Sequence, residues 1–237
     1  MAGHSKWANI QHRKGAQDKR RGNLFTKLAK EITVAAKPGV PSPDTNPRLR
    51  LAVLAARKES MPNDNIKRAI ARALPGSGEG DYAEIRYEGY APGGVSVIVE
   101  CLTDNKNRTA SDIRATFTKN GGNLGETGSV SFNFAHIGLF VYPATIGSFD
   151  EVFETAAAAG AMDVEETDGN YMITCEIPEF GALIKALEKY GEAESAKIIW
   201  QPTLTADLDD EAYAKLEAFI EKLEESDDVQ AVYTNAV

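Results

Sequence analysis

The sequence predicts a multidomain α+β protein in which a basic helical N-terminal domain precedes two α/β domains, one ferredoxin-like and inserted into the other. Three observations carry this prediction. Positive charge is concentrated in residues 1–75, a glycine-rich stretch occupies residues 75–80, and the elements after residue 136 follow a β-α-β-β-α-β order. A chain of 237 residues is long enough for two or three such domains.

The basic domain begins with an arm, residues 1–21, that is rich in cations and has little helical periodicity. A first helix is predicted over about residues 22–37. Its apolar residues, among them Leu24, Leu28 and Ile32, recur at the spacing of one helix face, and lysines occupy the other positions. The pattern is typical of a surface helix that packs its apolar face into a small core.

Two further helices are predicted after a proline-rich loop at residues 38–46. Asn46 and Pro47 open the second helix, because asparagine caps a helix start and proline is tolerated in the first turn. A third helix begins near Pro62. Three short helices that share one apolar seam predict a helical domain of residues 1–75.

Composition changes after the glycine-rich stretch. The predicted elements are strands over 82–90 and 94–102, a helix over 106–120 and a strand over 128–134. Val95, Val97 and Val99 alternate with their neighbours, as one buried face of a sheet requires.

The next stretch contains strands at 137–142, 162–167, 170–176 and 195–201 and helices at 148–160 and 178–190. This is the ferredoxin-like order. A helix over 209–225 and a strand over 229–234 are predicted to complete the first α/β unit. The predicted domains are therefore residues 1–75, residues 81–134 with 205–237, and the inserted residues 136–203.

The charge distribution predicts a nucleic-acid partner. Residues 1–75 contain 16 Lys and Arg and 5 Asp and Glu, a net charge of +11, whereas the remaining residues carry −20. Lysine and arginine neutralise phosphates and release counterions, which drives binding with little sequence preference. A solvated basic face is the alternative. The predicted contact residues are Lys6, Trp7, Arg13, Lys14, Lys19, Arg20, Arg21, Lys27, Lys30, Arg57, Lys58, Lys67 and Arg68.

The pattern favours phosphate contacts over base readout, because no predicted helix carries an assignable set of side chains for base edges. Trp7 could stack on a base or anchor the arm by burial. The segment 104–109 is a second polar cluster between a strand and a helix. Asn105, Lys106 and Arg108 could contact a phosphate or a partner, or Asp104 or Asn105 could cap the helix.

Signatures of catalysis are weak. The three histidines lack metal-ligand spacing, and no phosphate-binding loop motif occurs, so neither a metal nor a cofactor is predicted. The turns at 92–94 and 121–125 are interpreted as places where the backbone needs positive φ.

Cys101 and Cys175 lie in apolar segments and are interpreted as buried thiols. No apolar run could span a bilayer and the start lacks a signal-peptide core, so we expect a cytoplasmic protein.

Several motifs resemble the YebC family: MAGHSKWANI at 1–10, LFTKL at 24–28, MPNDNI at 61–66, YEGY at 87–90, TDNKNRT at 103–109, GSVSF at 128–132 and DDVQAVYTN at 227–235. The resemblance implies one helical and two α/β domains, with the middle domain built from separated segments. It departs at Gln11 and Asn23, where relatives often have lysine.

The resemblance implies a regulator of gene expression. Family members are described as DNA-binding transcriptional regulators, a mitochondrial relative is a translational activator, and others resemble ribosome-associated factors that help translation through proline-rich stretches. We expect a non-enzymatic DNA-binding transcriptional regulator. The alternatives are an RNA-binding translation factor whose partners are ribosomal RNA and the ribosome, and, more remotely, a nucleotide-using enzyme. No membrane partner is expected, and an oligomer is not implied.

Overall fold

A computed structural model describes residues 17–38, 41–74 and 81–236. These residues form two compact units. One comprises residues 135–201, and the other comprises the described residues up to 134 together with 202–236. The helices are α1 (Gln17–Ala36), α2 (Pro47–Lys58), α3 (Asn63–Arg72), α4 (Lys106–Lys119), α5 (Phe149–Ala158), α6 (Phe180–Leu187) and α7 (Asp210–Glu224). The strands are β1 (Ala83–Tyr90), β2 (Ser96–Thr103), β3 (Asn123–Leu124), β4 (Phe134–Pro143), β5 (Ala161–Thr167), β6 (Asn170–Cys175), β7 (Ser195–Pro202) and β8 (Val229–Thr234).

Helices α1, α2 and α3 enclose a core of their own, to which Ile32, Leu49 and Ile66 contribute. The three predicted helices are confirmed, although α1 begins at Gln17 and not near residue 22. The predicted start of α2 is also confirmed, because the Asn46 side chain accepts a hydrogen bond from Leu49 N (3.1 Å) and proline follows it.

The first sheet has the strand order β3-β1-β2-β8, and its neighbouring strands run antiparallel. Val97 and Val99 of β2 face a core that Phe117 of α4 and Phe219 of α7 complete, with the two rings 5.0 Å apart edge to face. Because β8 pairs with β2, the chain returns to this sheet after residues 135–201.

The predicted strand over 128–134 is wrong. A short 3₁₀ turn occupies Ser131–Asn133, and β4 begins at Phe134. Two backbone N–H groups of this segment, those of Val130 and Ser131, donate to the buried carboxylate of Glu88 (3.1 and 2.9 Å). Donors that bind a side chain cannot also form a strand ladder.

The unit of residues 135–201 has the strand order β5-β6-β4-β7, with β5, β6 and β4 joined antiparallel. Helices α5 and α6 cover it with Val152 and Leu183, which pack against Phe140 and Ile173 of the sheet. Two sheets after a helical region confirm the predicted fold class. The domain limits drawn from the sequence stay a prediction.

The interpretation of the cysteines is confirmed, since Cys101 and Cys175 are free and buried. The interpretation of the glycine turns also holds at three positions, because Gly93, Gly94 and Gly121 have φ of 82°, 76° and 78°. In that region of backbone space a side chain is strained and glycine is not.

Candidate nucleic-acid interface

Four of the predicted contact residues lie around the turn between α2 and α3. Arg57 and Lys58 occupy the last turn of α2, and Lys67 and Arg68 lie on α3. The turn is held by buried Met61, whose backbone N–H donates to Ala56 O (2.9 Å). We call Arg57, Lys58, Lys67 and Arg68 the turn cations.

Packing explains why the turn cations face solvent. Ile66 and Ala69 are the buried residues of α3, so the residues between them, Lys67 and Arg68, lie on its outer side. All four turn cations are exposed. Within the described ranges, Lys67 has no ion-pair partner, whereas Arg68 Nε donates to Asp64 O (3.3 Å) along its own helix.

Arg72 was not among the predicted contact residues. It is exposed and follows Arg68 at the i, i+4 spacing that places two side chains on one helix face, a signal that the sequence contained. Both arginines border a groove of about 250 Å³ between α1 and α3, whose lining includes Phe25, Met61 and Tyr82. Of the turn cations, Arg68 therefore adjoins a recess that two aromatic side chains help to line.

The predicted contact residues on α1 are arranged differently. Lys27 Nζ donates to Glu224 O (2.7 Å), Lys30 Nζ donates to Asp227 O (2.9 Å), and the Asn23 amide donates to Glu225 O (3.0 Å). The carbonyls of Glu224 and Glu225 lie at the C-terminal end of α7, where backbone acceptors lack helical partners and the helix dipole attracts cations, and Asp227 follows shortly after it. Burial lowers the pKa of Lys27 despite the nearby carboxylates of Glu224 and Asp227.

Asp228 is the centre of this contact. Its carboxylate accepts from Lys30 Nζ (2.6 Å), Arg108 Nη2 (3.0 Å) and Thr109 Oγ1 (2.8 Å). The side chains of Lys30 and Asp228 are 12% and 7% exposed. Burial alone would raise the pKa of Asp228, but hydrogen bonds from Lys30, Arg108 and Thr109 lower it to about 2. We call Lys27, Lys30, Arg108, Thr109 and Asp228 the junction, because it ties α1 to the first sheet and its helices.

The polar segment 104–109 contributes Arg108 and Thr109 to the junction. Asn105 caps α4, since its side chain accepts from Arg108 N (3.1 Å). The Arg108 guanidinium bridges Asp104 (2.9 Å) and Asp228. Asn105 therefore caps the helix, as one alternative had it, and the phosphate or partner contact of exposed Asn105, Lys106 and Arg108 stays a prediction.

For the remaining seven predicted contact residues, the side chain lies outside the described structure. Lys6, Trp7, Arg13 and Lys14 lie outside the described residues, and so do the side chains of Lys19, Arg20 and Arg21. Among the described residues, no group of three or more His, Cys, Asp or Glu side chains could hold a metal ion. In the same part of the chain, no helix is both long and apolar enough to cross a bilayer.

Comparison with known families accounts for nearly the whole chain. Residues 5–76 match the model of the TACO1/YebC protein N-terminal domain, and residues 82–236 match that of the TACO1/YebC second and third domains. The chain belongs to the TACO1/YebC family. The resemblance noted in the sequence is thereby confirmed, and the model of the second and third domains carries the name of a transcriptional-regulator family.

A solved structure supports the same assignment. The crystal structure of a conserved hypothetical protein from Aquifex aeolicus matches with a TM-score of 0.83 and 43% sequence identity, covering 98% of this chain and 97% of that protein. This TACO1/YebC chain is therefore similar to that protein in sequence and in fold over nearly its whole length.

Proposed function

We propose that this TACO1/YebC protein is a non-enzymatic regulator of gene expression that binds nucleic acid in the cytoplasm, and that it acts foremost as a DNA-binding transcriptional regulator. One observation carries the proposal: residues 1–75 have a net charge of +11 and the rest of the chain has −20. Such segregation directs a polyanion to one end of the protein and repels it from the other.

The exposed turn cations support this proposal within the described residues. They project from two helices that are held by one core, so they present positive charge at fixed positions. Arginine adds bidentate geometry toward a phosphate, which lysine lacks. Asp64 and Glu59 are exposed nearby and reduce the local charge without abolishing it.

A translation factor that binds ribosomal RNA is the second candidate. Two features of the sequence favour it. Residues 1–21, of which 17–21 belong to α1, are rich in cations, and α2 and α3 carry no set of side chains that we can assign to base edges. Structured RNA is recognised largely through shape and phosphates, for which such a surface suffices. Both candidates depend on the same electrostatics and differ in the polymer bound.

Crosslinking in cells, followed by sequencing of the bound nucleic acid, distinguishes the two candidates. Discrete promoter fragments would support transcriptional regulation, and ribosomal RNA would support the second candidate. Recovery of no nucleic acid above a control without crosslinking would contradict both.

The arm is tested separately. Replacing Arg13, Lys14, Lys19, Arg20 and Arg21 together with alanine should weaken binding while leaving the thermal unfolding of the α/β units unchanged, because phosphate contacts contribute to affinity and not to those cores. If the affinity for nucleic acid is unchanged, these five residues are not part of the contact surface. Nucleotide hydrolysis by the pure protein would contradict the non-enzymatic part of the proposal.

A further inference from the structure

The inserted unit has a composition unlike that of the helical region. Residues 135–201 contain 12 Asp and Glu and 3 Lys, a net charge of −9. The same unit exposes two phenylalanines of α5, with Phe149 37% and Phe153 45% exposed. Adjacent large aromatic side chains that are exposed on a protein surface often mark an interaction site.

Helix α5 holds the two rings in fixed positions. A capping box between Ser148 and Glu151 defines the start of the helix, and Val152 and Ala156 anchor its buried face. The rings of Phe149 and Phe153 stack with centroids 5.9 Å apart, and Phe149 also lies 5.9 Å from the ring of Tyr171. Little side-chain entropy therefore remains to be lost on binding.

Exposed carboxylates lie on the same helix as these rings and on β5. Asp150 and Glu154 each follow a phenylalanine by one residue and are exposed. Glu166 of β5 is exposed and is the cross-strand partner of Tyr171. On the other side of α5, the Tyr190 hydroxyl donates to Glu151 O (3.1 Å). The Lys189 ammonium lies 4.9 Å from the centre of the Tyr190 ring. We call Phe149, Asp150, Phe153, Glu154 and Glu166 the aromatic–acidic face.

We propose that the aromatic–acidic face is a docking surface for a cationic segment of another protein that carries apolar anchors. Apolar side chains spaced by one helical turn would pack on Phe149 and Phe153, while flanking Lys or Arg would pair with Asp150, Glu154 and Glu166. The carboxylates would repel nucleic acid and anionic lipid. The surface is separate from the turn cations and extends the function beyond nucleic-acid binding.

The occupant is inferred from charge complementarity. Residues 135–201 have a net charge of −9, so a cationic segment is the partner that this surface attracts. Lys27, Lys30 and Arg48 of the helical region pair with residues that do not belong to this face. Two aromatic anchors within a charged border make a small interface, for which a weak and salt-sensitive complex is expected.

The test uses the full-length chain and a fluorescein-labelled helical peptide of about 14 residues, with two leucines one turn apart among arginines. Binding is followed by fluorescence anisotropy. The variant Phe149→Ser/Phe153→Ser should weaken binding about tenfold, because it removes both anchors. The variant Asp150→Asn/Glu154→Gln should weaken binding about threefold and flatten its salt dependence, because it removes two charges and no apolar surface.

The matched control is Phe132→Ser, which removes a 70% exposed phenylalanine from the other unit and should leave peptide binding unchanged. If circular dichroism shows that the double serine variant is unfolded, the proposal is tested by the affinity of the charge variant and by its salt dependence.

Three results would overturn the proposal: equal affinities for the wild type and both variants, equal affinity for a peptide with serines in place of the leucines, or an equal loss in Phe132→Ser. A self-associated wild type that becomes monomeric in Phe149→Ser/Phe153→Ser would also overturn it, in favour of a second copy of this chain.

Discussion

The cations of α1 and those around the α2–α3 turn lie on helices that share one core, yet they have different environments. Lys27 and Lys30 donate to carbonyls and a carboxylate about two hundred residues away in sequence. Lys67 and Arg57 extend into solvent. The difference arises because α1 lies against the end of α7, where backbone acceptors attract ammonium groups, whereas the turn cations lie on the exposed sides of α2 and α3.

The net charge of residues 1–75 therefore includes two kinds of cation: those that are bonded within the protein and those that are exposed to solvent. The turn cations are exposed, so a phosphate can approach them from solvent. Lys30 could bind a phosphate only by giving up its own contact with the buried carboxylate of Asp228, which would then depend on Arg108 and Thr109, and losing a partner of a buried charge is costly. We therefore assign stability to the junction and affinity to the turn cations.

The largest expected effect comes from Asp228→Asn. It removes the negative charge that faces Lys30 and Arg108, and we expect the free energy of unfolding to fall by about 3 kcal/mol. Urea titration followed by circular dichroism measures it. The matched control Asp64→Asn, at an exposed site on α3, should change the free energy of unfolding by less than about 0.5 kcal/mol. Equal effects of the two variants would refute the assignment of stability to the junction.

Acid should reproduce part of this loss. Asp228 has a pKa of about 2 in the folded protein, below its usual unfolded value of about 3.9. Its contribution is therefore complete above about pH 4 and disappears as the pH falls through about 2, a loss on the order of 2 kcal/mol. The stability difference between wild type and Asp228→Asn should narrow over this interval. A difference that stays constant between pH 4 and pH 2 would contradict the lowered pKa.

The smallest expected effect is that of Arg48→Ala. Arg48 pairs with Glu31 (2.9 Å) and Glu84 (2.6 Å), but these side chains are 33–60% exposed. Solvent screens such pairs, so the free energy of unfolding should change by about 0.5 kcal/mol or less. Thermal unfolding in low and high salt measures it, and a loss comparable to that of Asp228→Asn would show that exposed pairs hold this domain as firmly as the junction does.

Local signals predicted most of the fold. The pair Asn46-Pro47 predicted the start of α2, and the alternation of Val95, Val97 and Val99 predicted β2, because capping and strand periodicity depend on neighbouring residues. The segment 128–134 shows where this reasoning fails. Its alternating apolar residues are typical of a strand, but the partner of its backbone N–H groups is Glu88, far away in sequence.

The candidate interface was predictable to a smaller extent for the same reason. Exposure of Lys67 and Arg68 follows from the apolar spacing of α3 itself. The engagement of Lys27 and Lys30 depends on the end of α7, which periodicity within α1 cannot reveal. The cation-rich arm was identified from composition, but its contacts lie outside the described residues.

The salt dependence of nucleic-acid affinity tests the central claim most directly. Each phosphate contact contributes about 0.7–0.9 to the slope of log affinity against log salt. The variant in which Arg57, Lys58, Lys67 and Arg68 are all alanine should therefore reduce the slope by about 3. The variant Lys27→Gln/Lys30→Gln, measured where it is folded, should retain the wild-type slope. Parallel lines for wild type and the turn variant, or a larger change in the Lys27/Lys30 variant, would contradict the account.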